Sequence, residues 1–320
     1  MKHFFRIVFL LLLLTPALFS CTGRNSTATN DSLVVLSWNV WHAGHSESYP
    51  GNGCDGTIGI LKKSNADIIT MVETYGCSDK VADSLGYYHR LISSNLSIYS
   101  RYPIIETYTF PDSIDPFNFG GVMIDKGGQK IRVFATWLHY LPDACNLHPD
   151  TMSAEEIVAW DESGTRDDEI RKILSVLTPF MAQTDSIPII MGGDFNIHSH
   201  LDWTEATKTL YGHAGKVVPW TVSTLMEKAG FKDSFREIHP DPAENLGVTW
   251  RYAYGPNGFE GYHNSSRNDR IDYIYYQGAT IQATDCESHN GLIGELYRFR
   301  GEDFFYGSDH GFVLTTFALK

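Results

Sequence analysis

Basic residues are scarce in this chain of 320: 25 Lys and Arg stand against 38 Asp and Glu, a formal charge of −13. A field of that sign repels polyanions and works against a protein that gains affinity by neutralising nucleic-acid phosphates, although a bound cation can reverse it locally. The apolar stretch at residues 7–14 is too short to span a bilayer comfortably. None of the five cysteines falls in a Cys-x-x-Cys spacing, so zinc-binding and redox motifs are missing. No internal repeat occurs, and nothing after the first few dozen residues has the composition of a linker. Aromatics are plentiful, with seven Trp and seventeen Tyr.

Lys2 and Arg6, the apolar residues 7–14, Thr15-Pro16 and Leu18-Phe19-Ser20-Cys21 have the layout of a secretory signal. The small Ser20 before Cys21 resembles a bacterial lipoprotein signal, in which Cys21 is lipidated and begins the mature chain. Phe19 is bulkier than that pattern usually shows, which leaves ordinary cleavage as the alternative. The expected organisation is a signal at 1–20, a flexible polar tether at 21–32 and one folded domain at 33–320. A lipid anchor on Cys21 implies an exported protein held at the bacterial cell envelope, and a monomer is expected separately. Cys54, Cys77, Cys145 and Cys286 then remain, an even number in an oxidising compartment. Three connectivities are open, as are four free thiols. Cys54–Cys77 is favoured because each lies a short way past a candidate site residue.

Runs rich in Val, Ile, Thr and aromatics predict strands at residues 34–39, 68–73, 96–100, 121–125, 131–139, 187–192, 270–276 and 311–317. A short helix should end near Lys63. Ile170, Ile173, Leu174 and Leu177 predict another, with Thr165 and Asp168 placed like a capping box. Val222, Leu225, Met226 and Ala229 predict a third, stopped at Gly230. Residues 141–164 are polar and irregular, with helix from Ser153, and make a candidate substrate-recognition loop beside His139. His198, His200 and Asp202 lead into a helix expected to begin near Asp202. The alternation argues one α/β domain.

Oxygen- and imidazole-bearing residues recur at the ends of these strands. Asn39 follows Trp38, and Glu73 closes residues 68–72, where a charge is costly unless paired. Asp194 and Asn196 follow Gly192-Gly193, and an i, i+2 spacing puts both on one side if the chain is extended. Asp272 sits in Arg270-Ile271-Asp272-Tyr273, with His310 its natural partner and a solvated pair with Arg270 the competitor. Ser308-Asp309-His310 closes the set. His139 ends another strand, although Trp137 and Leu138 separate it from Thr136, and a core histidine is the alternative there. Hard divalent cations want such oxygen donors.

In this order, Trp38-Asn39, Glu73, Gly193-Asp194-Phe195-Asn196, Asp272 and Ser308-Asp309-His310 resemble the endonuclease/exonuclease/phosphatase superfamily, the deoxyribonuclease-I-like fold, over roughly residues 33–319. The resemblance implies a four-layer α/β sandwich, two mixed β-sheets packed face to face with helices outside. It also implies hydrolysis of a phosphoester with Mg²⁺ or Mn²⁺. By the same resemblance Asn39, Glu73 and Asp309 bind metal, Asp194 activates water and Asn196 holds a phosphoryl oxygen. His310, oriented by Asp272, and His139 act on the phosphoryl group. Trp41 stands two beyond Asn39, where DNA-repair members carry an acidic residue, which speaks against abasic-site cleavage. The charge disfavours nucleic acid without excluding it, and a small or lipid-linked phosphoester is the expected substrate. A secreted nuclease stacking bases on Trp41, Trp137, Trp203, Trp250, Tyr252 or Tyr254 remains an alternative, as does a non-catalytic surface lipoprotein.

Overall fold

The computed structural model describes residues 32–44, 53–251 and 268–320. The expected signal, the anchor at Cys21 and the tether up to residue 31 lie outside them, as do Tyr252 and Tyr254, while Ser32, expected to end the tether, begins the first strand. Two six-stranded sheets form the centre. The first contains β1 (Ser32–Asn39), β2 (Ile68–Val72), β3 (Tyr88–Leu91), β4 (Ser97–Ser100), β13 (Ile281–His289) and β16 (Phe312–Leu319), in the order β13-β16-β1-β2-β4-β3. The second contains β5 (Ile104–Thr107), β6 (Phe119–Lys126), β7 (Gln129–Trp137), β8 (Ile189–Asp194), β9 (Lys232–Asp233) and β12 (Asp272–Gln277), in the order β5-β6-β7-β8-β12-β9. Two small ribbons pair β10 (Trp250–Arg251) with β11 (Asn268–Asp269) and β14 (Leu296–Phe299) with β15 (Glu302–Phe305).

Alternation along each strand decides which layer a side chain joins. Leu33, Val35, Ile190, Ile274 and Val313 pack between the sheets. Their neighbours Leu36, Trp38, Ile69 and Met71 turn outward to α1 (Gly53–Ser64) and α2 (Ser78–Leu85). Met191, Tyr273 and Tyr275 turn the other way, to Ile170, Ile173 and Leu177 of α4 (Arg166–Met181) and Val222 and Met226 of α5 (Thr221–Lys228). The result is the expected α/β sandwich of two mixed sheets with helices outside. Two shorter helices complete it, α3 (Ala154–Asp161) and α6 (Ser234–Ile238).

The sequence places helix from Ser153, and Ser153 caps α3 there in a reciprocal box with Glu156. The box proposed at Thr165 does not form. Thr165 Oγ1 donates instead to Glu169 at 2.7 Å, and no backbone N–H of α4 meets its side chain. Nor does a helix begin at Asp202, whose segment is a series of turns held by buried ion pairs. Cys54 and Cys77 form a disulfide, and Cys286 is a buried thiol.

Candidate active site

β1 and β2 run parallel with Asn39 opposite Val72, so the chain leaves both at the same edge. It turns there through Trp41, His42 and Ala43 on one side and Glu73 on the other, all at positive φ. Non-glycine residues rarely sit in that region, and they cluster at functional sites. The Ala43 N–H donates to Glu73 O, and the Glu73 N–H to Asn95 Oδ1, each at 2.8 Å. Asn95 Nδ2 reaches Phe117 O at 2.9 Å, so this fully buried amide ties the Glu73 turn to the lead into the second sheet. Sequence reasoning missed Asn95, which lies in a Ser-rich turn beside no recognisable motif.

The second sheet meets this edge at Asp194. In β7 and β8 Trp137 lies opposite Asp194, and in β12 Asp272 does. The preceding glycines permit the approach: a Cβ on Gly193 would fall 1.9 Å from Thr136 O, and one on Gly192 2.3 Å from Thr70 Oγ1 of the facing sheet. Asp194 and Asn196 come together differently from the extended expectation. The strand ends at Asp194, and Asn196 adopts φ 53° with its N–H on Asp194 Oδ1 at 2.8 Å. Asn196 Nδ2 donates to Leu138 O at 2.9 Å.

Ser308 delivers the last group, its Oγ donating to Asn39 O at 2.7 Å and accepting the His310 N–H at 3.0 Å. Trp38 Nε1 and Tyr306 OH both donate to His310 O. The imidazole then bonds Asp272 Oδ2 through Nδ1 at 3.0 Å, while Nε2 stands 3.8 Å from Asp194 Oδ2 and 3.9 Å from Asp309 Oδ1. Asn39 Nδ2 bridges Glu73 Oε1 and Asp194 Oδ2, each at 3.1 Å. The Asn39 oxygen accepts the Trp41 N–H at 2.9 Å, so its amide, rather than its oxygen, faces the carboxylates. Asn39, Glu73, Asp194, Asn196, Asp272, Asp309 and His310 thus meet at one inter-sheet edge. His139 sits one residue beyond Leu138, whose N–H donates to Asp194 O. Its ring lies with Trp137 and Tyr140, and among the described residues no hydrogen bond joins it to the cluster.

Burial without full pairing sets the charges. It pushes the Asp194 carboxyl up to about 8 against the pull of His310, with Asp272 adding to the rise. Asp309 rises to about 6, again through burial opposed by His310, with Glu73 pushing the same way as burial. Burial lowers His310, but Asp272, Asp194 and Asp309 outweigh it and hold the imidazole well above its ordinary value. A protonated imidazole has no lone pair for a metal, so the close triplet Asp194, Asp272 and His310 fits a proton-handling group better than a ligand set. The Glu73–Asp309 side fits a hard cation. The Glu73 charge raises the cost of ionising Asp309 there, and among the described residues Asp309 Oδ1 is buried with no hydrogen-bond partner.

Arg270 does not pair with Asp272. It binds Asp202 through two nitrogens at 3.0 Å and Asp233 at 2.7 Å, and Arg236 shares Asp202 at 2.6 Å. The two guanidinium groups overcome burial and hold Asp202 below the usual carboxylate range. This buried network fixes the chain on either side of Asp272, and it absorbs an Asp that the sequence placed at a helix start. Around the edge, Tyr75 (39% exposed) packs against His42, while Tyr140 lies exposed beyond His139. Burial and the Glu73 charge push the Tyr75 phenol up to about 12, so it stays neutral. Trp203 is core, stacked on His213, whereas Trp250 lies parallel to His310 at 5.8 Å.

Two facing sheets whose shared edge carries a carboxylate cluster and a histidine–aspartate pair define a phosphoester-hydrolase scaffold of the deoxyribonuclease-I-like kind. The chain belongs to the Endonuclease/Exonuclease/phosphatase family, which it matches over residues 36–310. It is 26% identical over 285 residues to an uncharacterized protein of Caenorhabditis elegans, covering 86% of this chain and 87% of that one. It also resembles the crystal structure of D. rerio TDP2 complexed with a single-strand DNA product, with a TM-score of 0.57, 17% identity and coverage of 89% and 98%. An AP endonuclease from Archaeoglobus fulgidus matches with a TM-score of 0.55, 16% identity and coverage of 88% and 98%.

Proposed function

We propose that the protein is a Mg²⁺- or Mn²⁺-dependent phosphoesterase that hydrolyses a small or lipid-linked phosphoester, tethered through Cys21 to a bacterial envelope. The observation that carries this reading is the convergence of Asn39, Glu73, Asp194, Asp272, Asp309 and His310 from segments far apart in sequence. Glu73 and Asp309 would hold the cation, with Asn39 fixing Glu73. The chemistry a divalent ion supplies there when bound is neutralisation of charge on the phosphoryl oxygens. The 3.8 Å between His310 Nε2 and Asp194 Oδ2 is too long for a direct hydrogen bond and admits an oxygen beside both groups. Asp194 takes a proton from the attacking water there, a task suited to a carboxylate whose pKa is near neutral. His310, held by Asp272, donates to a phosphoryl oxygen. Asn196 orients the same group, and His139 would stabilise the leaving oxygen. Water attacks phosphorus in line as the P–O bond to the leaving alcohol breaks opposite.

A nuclease is the second reading, favoured by the likeness to the TDP2 complex with single-strand DNA and opposed by the acidic charge. Purified protein should be assayed with Mg²⁺ or with EDTA on bis-p-nitrophenyl phosphate, inositol phosphates, sphingomyelin and plasmid DNA. EDTA-sensitive turnover of a small or lipid substrate ahead of DNA is the expected result. Fastest cleavage of DNA favours the nuclease, and turnover on none favours a binding protein built on the same scaffold.

A further inference from the structure

Asp272 begins a strand of the second sheet, while His310 precedes a strand of the first, so their hydrogen bond spans two layers. One residue outside both strands holds the two ends. Thr249 is fully buried, and its Oγ1 accepts the N–H groups of both Ile271 and Asp272 at 3.1 Å. Its carbonyl accepts the N–H of Gly311, directly after His310, and its own N–H donates to Asp269 O at 2.9 Å. The next residue, Trp250, bridges to His310 and lays its ring parallel to the imidazole. A single side chain therefore sets where Asp272 starts, and the same residue's backbone sets where the histidine segment turns.

We propose that Thr249 is a positioning residue for the Asp272–His310 pair, a role that rests on the phosphoesterase reading above. The N–H groups of Ile271 and Asp272, at the entry to the strand, both donate to that one hydroxyl oxygen. Valine keeps the shape of threonine but offers no acceptor, which strands two buried donors and releases the start of the strand. Serine keeps the acceptor and loses only a methyl group. Thr249 touches no reacting atom, so its loss should slow turnover and leave substrate affinity alone.

The test compares Thr249→Val, Thr249→Ala and Thr249→Ser in the full chain, on whichever ester the wild type cleaves fastest with Mg²⁺. Val and Ala should each lower kcat about 10- to 100-fold, the usual cost of removing a supporting group, with KM nearly unchanged. Ser should restore most of kcat. Equal losses in Val and Ser, near-wild-type kcat in Val and Ala, or a loss confined to KM overturns the assignment. Proton NMR gives a readout that needs no turnover, through the downfield Nδ1–H signal of His310 held by Asp272. Its disappearance in Val or Ala and retention in Ser supports the role. Its persistence in all three variants overturns the role. A wild type inactive on every ester defeats the phosphoesterase reading, while the NMR comparison still decides the fate of Thr249.

Discussion

At the scale of single residues, the cleft is a set of acids held in less water than they would choose. Removing the proton-handling groups should stop chemistry without unfolding the chain. Asp194→Asn and His310→Ala are each expected to lower kcat about 100-fold or more, with a single cooperative unfolding transition retained by calorimetry. Near-normal turnover in both would mean the roles are misassigned. The same acids make stability depend on pH. Asp309 titrates near 6 and Asp194 near 8 in the fold, both above the ordinary carboxylate value, and His310 lies above its own. Groups raised in this way bind protons more tightly folded than unfolded. Their contribution is complete below the unfolded pKa and is lost as pH rises through the folded one. The thermal midpoint in EDTA should therefore fall between about pH 4 and about pH 8 through these groups. Saturating Mg²⁺ should reduce the fall by stabilising ionised Asp309, and Asp309→Asn should flatten its part near pH 6. A midpoint in EDTA that climbs over that window would contradict the sign.

At the scale of elements, the Cys54–Cys77 bond joins the first turn of α1 to the residue capping α2, four positions after Glu73. Closing a loop of 23 residues restricts the unfolded chain by about 3 kcal/mol. The Cys54→Ser/Cys77→Ser double variant should lose about that much unfolding free energy in denaturant titration. It should also need more Mg²⁺ for half-maximal activity, because the Glu73 turn is less confined. Unchanged values for both would leave the bond without either role. The elements readable in the sequence were those buried on both faces, such as β2 and β8, whose residues are buried throughout. β13 escaped notice because its polar, half-exposed residues alternate around a bulge at Ala283–Asp285. β3 and β5 are mostly exposed edge strands with no apolar run to betray them. The groups at the strand ends of the site were legible for the opposite reason, as polar residues closing apolar strands. Asn95, Thr249 and the Asp202–Arg270–Asp233–Arg236 network were not, because their work lies in contacts between segments that spacing along one strand cannot reveal.

At the scale of the whole molecule, the fold brings its few reactive groups to one edge, while the chain in total carries 38 acidic residues against 25 basic ones. A small ester carries too little charge to sense most of that field, whereas a long polyanion meets all of it. Salt separates the cases, because the screening length shortens from about 30 Å at 0.01 M to about 8 Å at 0.15 M. An enzyme that grips DNA through phosphate neutralisation loses affinity steeply over that range. Here the sign should reverse: any cleavage of plasmid DNA should speed up as NaCl rises, with Mg²⁺ held constant. Hydrolysis of bis-p-nitrophenyl phosphate should barely respond. Initial rates on the two substrates across one salt series decide the matter. A steep fall for DNA alone would reveal a local cationic track strong enough to override the net charge, and the nuclease reading would displace the small-ester one.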